Sequence, residues 1–95
     1  MKSIEVEFTG LDRAITGMKT VQLSLENQAS YRDIIQVLAK RFPGMIGILI
    51  TPDQRSFLSA NLFNRNGDEP IMPNCMDNQP EDGDRLVIVY FIVGG

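Results

Sequence analysis

The chain has 95 residues, with nine Lys and Arg against twelve Asp and Glu for a formal net charge of −3. That length gives a single domain, residues 1–95, able to bury a core of its own, while the acidic balance offers no basic field to gather nucleic-acid phosphates or an anionic membrane. There is no His and one Cys, Cys75, which excludes His-based acid–base catalysis, Ser-His-Asp triads, the usual zinc sites and an intramolecular disulfide.

Ile4, Val6 and Phe8 alternate with Ser3, Glu5, Glu7 and Thr9, the period of a strand with one buried and one wet face. Gly10 to Lys19 reads as the long loop of a hairpin, because Val21, Leu23 and Leu25 then alternate with Gln22, Ser24 and Glu26. Ser30 stands three residues before Asp33, which predicts an N-cap with a capping-box acid at the positive end of a helix. Tyr31, Ile34, Ile35, Leu38 and Phe42 place one apolar stripe on that helix, and Pro43-Gly44 ends it.

Met45 to Thr51 is apolar and β-branched enough for a strand or a buried connector and is expected to be partly extended, and Phe57 to Phe63 to supply a short strand before Asn66-Gly67, a pair suited to a tight hairpin turn. Asp68 to Glu81 holds Pro70, Pro73 and Pro80 and is expected to be mostly loop, with room for one short strand. Asp82-Gly83-Asp84 is a turn, and Arg85 to Val93 is an unbroken strand-forming run followed by Gly94-Gly95. A strand apolar on both faces belongs at the centre of a sheet. The order predicts an α+β architecture of the β-grasp type: a mixed sheet of four to five strands with one main helix packed across one face.

The Gly94-Gly95 end carries the functional reading. Two residues without Cβ can lie extended in a narrow tunnel and bring the terminal carboxylate to a reactant held inside another protein. With a pKa of about 3.3–3.7, that carboxylate is an anion and a poor electrophile at neutral pH until it is activated. Adenylation by ATP followed by displacement of AMP would solve the problem.

The run from Asp82-Gly83-Asp84 through the apolar strand to Gly94-Gly95 resembles the C-terminus of the ubiquitin-like sulfur carriers. The resemblance is strongest to MoaD, the small subunit of molybdopterin synthase, with the thiamine carrier ThiS as a relative. It implies adenylation of Gly95 by a MoeB/ThiF-type enzyme using ATP and magnesium, then conversion to a thiocarboxylate. It also implies Gly94 threading into the partner, and sulfur transfer inside a MoaE-like large subunit to make the dithiolene of molybdopterin. No bound cofactor and no intrinsic catalytic residue is expected. The chain departs from that pattern in having Tyr90-Phe91 where Pro-Pro is frequent, and Gln79-Pro80-Glu81 before the Asp-Gly-Asp turn. A thiamine carrier, a modifier joined to lysines, and a β-grasp binding module whose terminus is never activated remain open.

The last strand also sets out a surface. Leu86, Ile88 and Tyr90 form one row, and Val87, Val89 and Phe91 the other. If the first row packs on the helix, the second lies on the open sheet face, where an apolar patch marks a protein interface. Val87, Val89 and Phe91, with Ile92 and Val93 leading to the tail, are therefore expected to meet the adenylating enzyme and the acceptor, unless the Asp68–Glu81 loop folds over them.

The remaining candidates read as structural. Glu81, Asp82 and Asp84 make an acidic solvated turn rather than a metal site, expected to meet a basic patch on a partner. Arg13, Lys19 and Arg65 lie in expected loops and read as solvated surface, with salt bridges to a partner as the alternative, and Cys75 reads as a semi-buried filler. Gly44 and Gly47 do not make a phosphate loop. No secretory signal or membrane span is recognisable, and the chain reads as cytoplasmic.

Overall fold

A computed structural model describes residues 1–58 and 60–90. The strands are β1 (Lys2–Glu7), β2 (Thr20–Leu25), β3 (Asn61–Arg65), β4 (Glu69–Ile71) and β5 (Arg85–Tyr90), and the helices are α1 (Gly10–Thr16) and α2 (Tyr31–Arg41). They form one five-stranded sheet in the order β2-β1-β5-β3-β4. β1 runs parallel to β5 and antiparallel to β2, while β3 is antiparallel to both β4 and β5. The apolar run Leu86–Val89 therefore sits in the middle strand, as two-sided hydrophobicity requires.

The core lies between one sheet face and α2. Ile4, Val6, Phe8, Val21, Leu23, Leu86, Ile88 and Phe63 supply the sheet side, and Tyr31, Ile34, Ile35, Leu38 and Ala39 the helix side. α2 begins as its sequence dictates. Asp33 Oδ2 accepts the Ser30 N–H at 2.8 Å, and Ser30 Oγ accepts the Asp33 N–H at 3.2 Å. The N–H groups of Tyr31 and Arg32 have no partner within the helix. They donate instead to the carbonyls of Asn78 and Met76 at 3.0 and 2.9 Å, and Arg32 pairs with Asp77 at 2.8 Å. The segment after β4 is thereby pinned across the start of the helix.

Two expectations are corrected, and at Met45–Thr51 one of two alternatives is found. Gly10 to Lys19 is not an open hairpin loop, since its first seven residues form α1, capped where Asp12 Oδ2 accepts the Thr9 N–H at 3.1 Å. A seven-residue segment with glycines at both ends carries too little periodicity to be read as a helix. Met45 to Thr51 forms no strand. A 3-10 turn at Pro43–Met45 and two isolated bridges of Ile50, to Ile46 and to Phe57, make it a connector that buries Met45, Leu49 and Ile50 and exposes Ile48. The strand expected at Phe57–Phe63 lies later, at Asn61–Arg65, because Asn66 and Gly67, at φ +53° and +87°, turn the chain directly after Arg65.

Candidate functional site

β5 is held at its start by the Asp82-Gly83-Asp84 turn. Asp82 Oδ1 accepts the Ser3 N–H at 2.7 Å. Gly83 takes φ +87° and donates its N–H to Ser3 O at 2.8 Å. The Glu5 N–H donates to Asp84 O at 3.0 Å, so the turn sets the parallel register of β1 on β5.

The reading of this turn as uniformly solvated is corrected at Asp84, which is 5% exposed. Its carboxylate accepts from Arg65 Nε at 2.8 Å, the Glu81 N–H at 2.8 Å and Asn66 Nδ2 at 3.2 Å. Burial alone would raise its pKa, but the hydrogen bonds from Glu81, Arg65 and Asn66, with the Arg65 charge, bring it below the usual carboxylate value. Arg65 is likewise corrected from solvated surface. It spans Asp84, Glu69 at 3.1 Å and Glu81 at 3.5 Å, and the Asp84 hydrogen bond and charge push its guanidinium further up. Burial side chain by side chain is not legible locally, because Arg65 at the end of β3 and Asp84 in the turn before β5 meet only once the sheet has formed.

On the outer face, Val87 faces Glu7 on β1 and Asn64 on β3, and Val89 faces Leu62. Asn64 in turn faces Pro70 on β4. Cross-strand partners share a face, so Val87, Val89, Leu62 and Pro70 form an apolar strip beside the polar half made by Ser3, Glu5, Glu7, Gln22 and Ser24. Val87 and Val89 are half-buried. The Met76–Asn78 stretch of the Asp68–Glu81 loop is bonded to the start of α2 on the other side of the sheet, while Leu62 within the strip is 5% exposed. Asn64 Oδ1 lies buried within the strip, with no hydrogen-bond partner among the described residues.

At the far end of β5, the β1 ladder stops at Glu7–Val87. Thr9 closes it, its Oγ1 donating to Ile88 O at 3.4 Å while its N–H goes to Asp12. Leu86 and Ile88 enter the core, but Tyr90, of the same row, is 63% exposed. α2 does not reach it. Tyr90 instead borders a groove of about 340 Å³ with Leu11 and Ile48, which are 58% and 51% exposed. Sequence reasoning missed this groove. Leu11 lies in a stretch that reads as a hairpin loop and Ile48 in one that reads as partly extended, and nothing local shows that α1 and the Met45–Thr51 segment meet beside β5. Phe91, Ile92, Val93, Gly94 and Gly95, the tail named from the sequence, lie outside the described residues.

A five-stranded mixed sheet with its main helix across one face and a central last strand is the ubiquitin-like β-grasp fold. No protein-family model matches the sequence, and no curated protein matches it closely. Among solved structures, the chain is similar to the small archaeal modifier protein SAMP1 from Haloferax volcanii, at 19% identity over 98% of this chain and 99% of that one with a TM-score of 0.78. It is similar to a putative molybdopterin converting factor subunit 1 from Pyrococcus furiosus, at 20% identity over 93% and 95% with a TM-score of 0.70. Urm1 from Trypanosoma brucei is a third, at 18% identity over 99% and 96% with a TM-score of 0.73. These likenesses show the fold that the C-terminal sequence resemblance implies. No helix among the described residues is long and apolar enough to cross a membrane.

Proposed function

We propose that this chain is a sulfur carrier of the MoaD type, acting through Gly95 as its terminal residue. The observation that carries the reading is the placement of β5. The strand that leads to Gly94-Gly95 is the central one, bonded to β1 and β3 and fixed at its start by Asp82 and Asp84. A tail tethered to the most firmly held strand has a defined origin, so a partner docked on the sheet finds the terminus at a set reach.

The chemistry belongs to the partners. The Gly95 carboxylate attacks the α-phosphorus of magnesium-bound ATP in a MoeB/ThiF-type adenylating enzyme, and pyrophosphate leaves. Hydrosulfide then attacks the acyl carbon, AMP leaves, and Gly95 ends as a thiocarboxylate. The thiocarboxylate gives its sulfur to precursor Z in a MoaE-like large subunit, where molybdopterin is formed. Val87 and Val89, with Phe91, Ile92 and Val93 beyond them, make the contact that orients the tail, and Gly94 supplies the narrow backbone that threads the site.

A second reading, a modifier joined through Gly95 to lysines, is favoured by the likeness to a protein described as a small archaeal modifier. Both readings use the same activated terminus.

Intact mass spectrometry after incubation with a MoeB/ThiF-type enzyme, MgATP and sulfide tests the proposal. The expected result is a mass gain equal to sulfur replacing one oxygen, absent when Gly95 is deleted. No gain with the adenylating enzyme of the same organism overturns it. Isopeptide-linked ladders from cells that disappear on Gly95 deletion support the modifier reading.

A further inference from the structure

The modest net charge hides a strong separation of charge along the sheet. At the Tyr90 end, β2 begins beside Lys19, whose carbonyl accepts the Phe8 N–H at 2.8 Å. Phe8 packs edge-on against Phe42, with ring centroids 5.6 Å apart, and the Arg41 guanidinium lies over the Phe42 ring at 6.0 Å. Lys40 precedes it on the last turn of α2, and α1, which carries Arg13, abuts this corner through Ile15 and Gly44. Arg13, Lys19, Lys40 and Arg41 are all exposed, and among the described residues none has an ion-pair partner.

The acids that β1 and α1 bring to this end do not cancel them. Glu7 faces Arg85 at 3.8 Å, and Asp12 is buried as the cap of α1. The opposite end is the reverse. Glu26, Asp68, Glu69, Glu81 and Asp82 are exposed there, whereas Lys2, Arg32 and Arg65 are committed to carbonyls or carboxylates, which leaves Arg55, beside Arg32, as an exposed cation outside the ion pairs of the described residues.

Tyr90 and its groove lie within the basic end. Gly95 lies five positions after Tyr90, and at up to ~3.6 Å per position it reaches at most ~18 Å. Any protein that handles the Gly95 carboxylate must therefore cover the ground around Tyr90. We infer that the basic end is the docking face for that protein. The surface it fits is an acidic rim around an apolar projection, the rim meeting Arg13, Lys19, Lys40 and Arg41, and the projection entering the groove of Leu11, Ile48 and Tyr90. The charge steers the encounter and the groove holds it. This rests on the reading that Gly95 is activated by a partner, and adds which face that partner takes and what charge it carries.

The test is the rate of Gly95 adenylation, read as pyrophosphate release with the adenylating enzyme of the same organism. The triple variant Lys19→Glu, Lys40→Glu, Arg41→Glu is compared with Glu26→Lys, Asp68→Lys at the opposite end. The triple reversal is expected to lower kcat/KM by about 10- to 100-fold at low salt with kcat unchanged, and the deficit to shrink as salt rises. Leu11→Gln is expected to raise KM with little salt dependence. The Glu26→Lys, Asp68→Lys variant is expected to stay within about twofold of the wild type.

A folded triple variant adenylated as fast as the wild type overturns the inference and leaves the activation reading standing. An equal effect from reversals at the acidic end overturns it too, since net charge would then be the cause. Binding of the wild type to phosphatidylserine vesicles at ~0.15 M salt would give the basic end to a membrane surface instead. If the wild type is not adenylated at all, the activation reading fails and the inference with it.

Discussion

The ammonium of Lys2 donates to the carbonyl of Pro80 at 2.8 Å, across 78 residues of sequence. Its other two donors go to Ala29 O at 2.8 Å and Asn27 O at 3.0 Å. A charged group that is 4% exposed is thus satisfied by three carbonyls, one just before the last strand and two in the turn before α2. Lys2→Met is expected to leave those carbonyls unpaired and to cost ~2–4 kcal/mol. Thermal or denaturant unfolding would check it, and a loss below ~1 kcal/mol would mean that the cage contributes little.

Acid should weaken the fold through Asp84. Its folded pKa lies below the ordinary carboxylate value, so its contribution is complete above the unfolded value and is lost as pH falls through the folded one. Asp84→Asn is expected to cost ~2 kcal/mol near neutrality, with the gap to the wild type narrowing in acid. Asp12 has the opposite sign. Burial raises its pKa despite hydrogen bonds from the Thr9, Asp12 and Arg13 amides, so wild-type stability falls as pH rises from the unfolded value through the raised one. Asp12→Asn keeps a cap oxygen and removes the buried charge, and is expected to be as stable as the wild type or more so at neutral pH. Unfolding measured from acid to neutral pH on both variants separates the two effects.

Asn64 places a buried oxygen, unbonded among the described residues, in the middle of β3. Asn64→Val removes that atom and adds a residue suited to a strand, so the variant should gain ~1 kcal/mol. A lower melting temperature would show that the amide has a partner after all.

The outer strip makes a separate demand. Val89→Asp puts a carboxylate beside Leu62, and is expected to leave the far-UV spectrum unchanged while weakening binding to the adenylating enzyme by about tenfold or more, or ~1.4 kcal/mol. Unchanged affinity in a folded variant would remove the strip from the interface and leave the basic end to account for docking.

The sequence by itself determined the elements whose signals are local. Alternation in Ile4–Phe8 and Val21–Leu25, the Ser30–Asp33 cap and the stripe on α2, the turns at Asn66-Gly67 and Asp82-Gly83-Asp84, and the two-sided run after Arg85 all depend on periods of two or 3.6 or on single backbone angles. They are enough to fix the β-grasp order and to name Val87 and Val89. Tertiary structure alone decided what depends on segments distant in the chain. Burial of Lys2 needs carbonyls from two separate loops, and burial of Asp84 needs Arg65 from the neighbouring strand. The Met76 and Asn78 carbonyls go to the free amides of α2, which draws that stretch to the helix side of the sheet. The basic end exists only because α1, the start of β2 and the end of α2 converge on Phe8. Charge and burial there are sums over neighbours in space, and a linear reading holds only the neighbours in sequence.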